Sequence, residues 1–167
     1  STPVATLAWA FNSMFMSIVM NVYHAVRRNL YKKSQGYFIL IFLWISFEYI
    51  HLNWKLTWTW LNLGNGFAMH YQWIQWYEYT GALGGTFWII LINILIFKAV
   101  KPILLKQPDR KTILQNGLIA VLVLILPILI SLFMYYRFTE KKDPITVIVC
   151  QPNLDPYSTQ YSTPPLE

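Results

Sequence analysis

The sequence predicts an all-α polytopic transmembrane helical bundle, followed by the first strand of a soluble domain. Three observations predict it. Hydrophobic residues make up 56% of the 167 and charged residues only 12%, whereas soluble domains carry roughly 25% charge because their surface faces water. The apolar residues come in blocks about as long as a bilayer is thick. The basic residues gather between those blocks, as Arg27, Arg28, Lys32 and Lys33 and then Lys98, Lys101, Lys106, Arg110 and Lys111. A formal charge of +6 would suit nucleic acid only if the cations shared one folded face. Placed between apolar blocks they read as juxtamembrane anchors, and no nucleic-acid partner is expected.

The first block, about residues 4–26, has no formal charge and as a helix would be about 34 Å long, enough to cross. Asn12, Ser13, Ser17, Asn21 and His24 interrupt it. Their cost in lipid predicts that they face other helices or the interface. The second block, about residues 36–52, is shorter, about 25 Å. It carries Glu48 near its far end and His51 one turn later. An ionisable side chain at that depth marks a candidate functional site. The plainer alternative is that Glu48 reaches the headgroups or braces a neighbouring helix.

Residues 53–80 have a different texture. Trp54, Trp58, Trp60, Trp73 and Trp76 fall here, and indoles favour the headgroup level. Gly64, Asn65 and Gly66 predict a turn that breaks any helix, and residues 69–79 predict an interfacial or re-entrant helix. The third block, about residues 81–100, opens on Gly81, Gly84 and Gly85, which allow close helix contact. Asn93 in its middle reads as interhelical glue or as a site residue. A basic linker follows, broken by Pro102 and Pro108. In the fourth block, about residues 112–136, Pro127 removes an i→i−4 bond and is expected to kink the helix. The carbonyl it frees can be satisfied by a neighbour.

Ile145 to Cys150 is β-branched and apolar, with Pro144 before it and Gln151-Pro152-Asn153 after. It reads as a buried strand opening a soluble domain over residues 144–167. As the only cysteine, Cys150 allows no intrachain disulfide. Closing a hydrophobic run, it reads as a packed strand residue, since a nucleophile needs a base or a positive partner nearby. The chain begins without Met and stops soon after this strand signal, so both ends are read as cut. His24, His51 and His70 are widely separated, and the sequence has no HExxH, no CxxC and no glycine-rich phosphate loop after a strand. Neither a metal nor a cofactor is expected.

Four crossings put the first and third gaps on one side of the membrane, and both are strongly basic. The positive-inside rule assigns that side to the cytoplasm. The Trp-rich segment and the C-terminal strand then share the opposite side.

Three stretches, taken in order, resemble the apolipoprotein N-acyltransferase family: ISFEYI followed by TWLNLGNG, then YTGALGGTFWIILIN, then VIVCQPNLDPY. They cover roughly residues 36–157. The resemblance implies a multi-pass enzyme of the bacterial inner membrane with a periplasmic carbon–nitrogen hydrolase domain. That domain would be a nitrilase-like α-β-β-α sandwich, an α/β fold that residues 144–167 begin. The implied reaction moves an acyl chain from a phospholipid to the N-terminal diacylglyceryl-cysteine of a lipoprotein, through a thioester on a Glu-Lys-Cys triad. The implied partners are a phospholipid acyl donor, a diacylglyceryl-modified lipoprotein acceptor and the lipid bilayer. No residue here matches the triad, so no catalytic residue is expected in the chain, and alone it is expected to be inactive. Carried over by position, Glu48 is similar to the family's membrane glutamate. Trp60, Asn62 and Gly64 resemble part of an outer-leaflet surface beside the active-site mouth, either touching substrate or fixing the fold of the loop. Where the family often has Gly-Phe-Pro-Trp, this chain runs Leu56-Thr57-Trp58-Thr59-Trp60; the tryptophan matches and the proline does not. The rival reading is a non-catalytic membrane module of a transporter or assembly scaffold, whose sign would be paired repeats.

Overall fold

The long apolar blocks form helices because the backbone can satisfy its own N–H and C=O groups that way in hydrocarbon. The computed structural model describes residues 2–29, 34–55, 61–139 and 146–150. Helix α1 spans Thr2–Asn29, α2 Ile39–Leu52, α3 Tyr77–Leu104 and α4 Arg110–Arg137. A 3-10 turn at Ser34–Tyr37 precedes α2, and a 3-10 segment, Leu63–Trp73, interrupted by a kink at His70, lies between α2 and α3. Three helices, α1, α3 and α4, are long and apolar enough to cross a membrane, whereas α2 has only 14 residues. This is a multi-pass membrane protein. Its outer surface agrees: Leu118, Leu122, Leu126 and Leu129 form an exposed stripe along α4, a face suited to acyl chains.

Packing centres on α3, which touches α2, α4 and the 3-10 segment. Tyr37, Ile41, Ile90 and Ile94 form the buried cluster between α2 and α3. The bundle has two unlike ends. At one, Lys101 donates to the Tyr37 hydroxyl at 3.1 Å while Arg27 lies 4.0 Å from the centre of the same ring. The ends of α1 and α3 and the start of α2 therefore meet there. At the other end Trp76 packs on Tyr77 and Trp88, and Tyr71 on Tyr135. A hydrogen bond with Tyr135 raises the Tyr71 phenol above its ordinary pKa. Asp109 caps α4, accepting from the Lys111 N–H at 3.1 Å and from the Thr112 hydroxyl. Those bonds, Thr112's first, hold its carboxyl below the usual carboxylate range.

The polar residues inside the spans find hydrogen-bond partners locally. Asn12 donates to the Ala8 carbonyl, Ser17 to Ser13, Asn21 to Ser17 and Asn93 to Ile89, all at 2.7–2.9 Å and all four residues back on the same helix. None of these bonds is the expected interhelical contact. A carbonyl one turn away is always within reach, so short polar side chains are satisfied locally. Gly64, Asn65 and Gly66 do not break the helical path either; they lie inside the 3-10 segment, where i→i+3 bonds tolerate them. Only Met69–Trp73 of the predicted 69–79 helix is 3-10, and Tyr77 already belongs to α3. Pro102 sits within the last turns of α3, not in the linker. Thr146–Cys150 show neither strand nor helix, and Val147, Ile148 and Val149 are exposed. A strand needs a ladder partner, and none is present among the described residues. Cys150 is exposed too, so its packed-strand role is not seen; Ile145 and the Gln151-Pro152-Asn153 stretch lie outside the described residues.

Helix α4 continues through Pro127 as one helix. Lacking an N–H, Pro127 leaves the Val123 carbonyl without its helical donor, and the Trp88 indole N–H of α3 donates to that oxygen at 2.6 Å. Trp88→Phe should therefore destabilise the protein by about 1–3 kcal/mol by orphaning a buried carbonyl. In a Pro127→Ala background, where the alanine supplies the N–H, the same change should cost clearly less. Thermal unfolding of the four proteins in detergent measures that coupling, and strict additivity would refute this pairing.

Candidate functional site

Among the described residues Glu48 accepts three hydrogen bonds, and it is 2% exposed. It lies eleven residues beyond Tyr37, about 16 Å along the helix path, well inside the bundle. One carboxyl oxygen, Oε1, accepts from the Trp44 indole one turn earlier at 3.0 Å and from the Leu63 N–H at 2.9 Å. The other, Oε2, accepts from the Thr86 hydroxyl of α3 at 2.6 Å. Thr86, fully buried, in turn accepts from the Gly64 N–H at 3.0 Å. The Gly64 carbonyl accepts from the Tyr77 hydroxyl at 2.9 Å. Thus α2 and α3 clamp the start of the 3-10 segment, and the polar atoms of Leu63 and Gly64 that cannot join a regular ladder find side-chain partners.

Glycine makes the clamp sterically possible. A Cβ on Gly64 would lie 1.9 Å from the backbone oxygen of Ala82, and one on Gly85 would lie 2.9 Å from the Gly64 Cα. The two backbones touch. Gly81 has φ +64° and ψ −172°, a conformation essentially reserved for glycine. It bends the first turn of α3 so that Tyr77 reaches back over Gly85 to Gly64.

The residues singled out from sequence divide as follows. Glu48 and Gly64 are brought into one network through Thr86. Asn62 is buried at 5% exposure, directly before the 3-10 segment, and its carbonyl accepts from the Asn65 N–H at 3.0 Å. Trp60 lies outside the described residues. His51 is buried among aromatic rings, with centroids 5.0 Å from Trp54, 5.4 Å from Phe47 and 6.3 Å from Phe15. Thr86, Tyr77 and Trp44 were missed. Their signal was faint: a threonine inside an apolar helix, one turn-spaced tryptophan before a glutamate, and a tyrosine among many. Among the described residues no cluster fit to hold a metal appears. Beside this network, Trp76, Gly84, Trp88 and Leu126 line an apolar cavity of about 440 Å³ between α3 and α4.

Thr86→Val keeps shape but strands both the Gly64 N–H and Glu48 Oε2; it should destabilise by about 1–3 kcal/mol, whereas Thr86→Ser should not. Gly64→Ala should destabilise severely. Gly66→Ala, with nothing within 4 Å of its Cβ, should be close to neutral. Unfolding midpoints in detergent give the comparison, and similar loss at both glycines would count against the clamp.

Known proteins now give this geometry a family. A 95-residue match at residues 1–95 falls on the apolipoprotein N-acyltransferase N-terminal domain. The chain is also 23% identical over 162 residues to a protein of Chlorobaculum tepidum described as apolipoprotein N-acyltransferase. That match covers 92% of this chain but 29% of the relative's length. No solved structure matches. With more than half of its length in that match, clamp included, the chain belongs to the family of the apolipoprotein N-acyltransferase N-terminal domain.

Proposed function

We propose that the chain is the membrane portion of an apolipoprotein N-acyltransferase, and that its aromatic end presents lipid substrates to a catalytic hydrolase domain. The observation that carries this reading is the clamp: irregular backbone held at membrane depth by Glu48, within the stretch that resembles the family. Non-helical backbone at that depth is tolerated only when buried in protein or lining a cavity. Such an arrangement has a use if the adjoining surface must stay in one shape.

In this reading the 3-10 segment is re-entrant. Glu48, Asn62 and Gly64 set its position, and Trp60 contacts substrate. The cavity beside Trp76 accepts an acyl chain of the phospholipid donor or of the diacylglyceryl-lipoprotein acceptor. The triad cysteine, which the resemblance places beyond residue 167, attacks the phospholipid ester as its thiolate. The acyl chain moves to sulfur and the lysophospholipid leaves. The α-amino group of the lipoprotein cysteine then attacks the thioester, forming the amide and restoring the thiol. The triad Glu moves the protons and the Lys steadies the oxyanion. By itself the chain is inactive.

The orientation follows from charge. Arg27 and Lys101 meet at Tyr37, so the two basic gaps share one end, which we assign to the cytoplasm of a bacterial inner membrane. The aromatic end and the C-terminal segment face the periplasm. In a Cys150→Ser background, a membrane-impermeant maleimide added to intact spheroplasts should label Met69→Cys and spare Lys106→Cys. The reverse pattern would overturn the orientation.

For the full-length enzyme, Trp60→Ala should lower acyl transfer to a diacylglyceryl peptide about tenfold, a barrier change of about 1.4 kcal/mol. Membrane insertion and the unfolding midpoint should stay unchanged. Normal turnover would remove Trp60 from the substrate surface.

A further inference from the structure

The basic end of the bundle carries a feature that acyl transfer does not use. Arg27, near the C-terminus of α1, is half-buried, and its Nε is buried without a hydrogen-bond partner. Its guanidinium lies on the Tyr37 ring. With Tyr23, it forms the wall between two unlike spaces. On one side is a small cavity of about 280 Å³ bounded by Tyr23, His24, Arg27 and Arg28. On the other is an apolar cavity of about 490 Å³ running up between α1, α2 and α3, lined by Met20, Leu40, Trp44, Ile89 and Phe97. Lys101 reaches Tyr37, and Lys98 lies 5.9 Å from the Phe38 ring at the same level.

We propose that this groove is a binding site for an anionic phospholipid of the leaflet that the basic end meets. The phosphate sits at Arg27, with Lys98 and Lys101 nearby, and one acyl chain lies in the apolar cavity. Two features choose this occupant over a neutral lipid or a protein helix. The first is charge. Arg27, Arg28, Lys98, Lys101, Lys106, Arg110 and Lys111 gather at this end against one carboxylate, Asp109, and Asp109 is already occupied in capping α4. Basic pockets between helices on such a face hold acidic headgroups. The second is shape. A chamber bounded by His24 and Arg28 beside a greasy groove, with the Arg27 guanidinium between them, has the division of a phospholipid. The groove opens at the basic end and reaches up to Trp44 and Leu63 of the clamp, but the proposal does not rest on the acyl-transfer reading.

The test uses full-length protein, delipidated in detergent and titrated with phosphatidylglycerol or phosphatidylcholine of identical chains, read by native mass spectrometry. Phosphatidylglycerol should bind about tenfold more tightly, because the choline cation of the other lipid offsets its phosphate and is repelled by the same basic end. Arg27→Gln should erase that preference. Ile89→Trp, which fills the groove without changing charge, should weaken both lipids. Lys98→Gln gives a second charge variant should Arg27→Gln fail to fold, and it too should reduce the preference. Inorganic phosphate at millimolar concentration should not displace the lipid. Equal binding of the two lipids would overturn the proposal, as would an unchanged preference in the charge variants. Displacement by phosphate alone would reduce the site to an anion pocket, and loss of a dimer on groove filling would assign it to a second copy; either outcome also refutes it.

Discussion

Inside hydrocarbon there is no water to accept a stray hydrogen bond, and the arrangement of this bundle follows from that shortage. Where the chain is helical the backbone satisfies itself. Where it is not, at Leu63 and Gly64, the partners come from Glu48, Thr86 and Tyr77. A carboxyl group buried at 2% exposure would be costly alone. Given three donors, it becomes the point where α2, α3 and the 3-10 segment are held in one register.

The same rule explains Pro127. Its missing N–H creates a demand on α4 that α3 meets with Trp88. Proline and tryptophan thus act as a matched pair, joining α3 to α4 much as Glu48 and Thr86 join α2 to α3. Both ties depend on α3, and among the described residues that helix holds more buried residues than any other element, Thr86, Trp88, Ile90 and Ile94 among them. By contrast α1 satisfies its asparagines and serine locally and shows much of its surface, including Trp9 and Leu7. It is the helix most free to leave a groove beside its neighbours.

Charge divides the bundle along its length. Cations collect where α1 and α3 end, and indoles and phenols collect where α3 begins. Lipid substrates proposed for the aromatic end and an acidic lipid proposed for the basic end would therefore meet surfaces of different chemistry. The clamp lies between them.

The bilayer class, the helical blocks and the family were legible in the sequence because they depend on local composition and order. Block length alone tells a span from a core helix, and the motifs ISFEYI, TWLNLGNG and YTGALGGTFWIILIN needed no partner to be read. Glu48 and Gly64 stood out for the same reason, one as an acid in lipid and the other as a glycine in a turn-like run. Their connection did not, because Thr86 lies 38 residues from Glu48 and 22 from Gly64. Nor did the fate of Asn93, which a periodicity argument cannot distinguish from glue until its distance to Ile89 is known. Composition and pattern by themselves determined that this chain lives in a membrane and which end is basic. Only the tertiary structure decided which donor meets which acceptor, since a hydrogen bond is set by ångström distances between segments that the linear order keeps far apart.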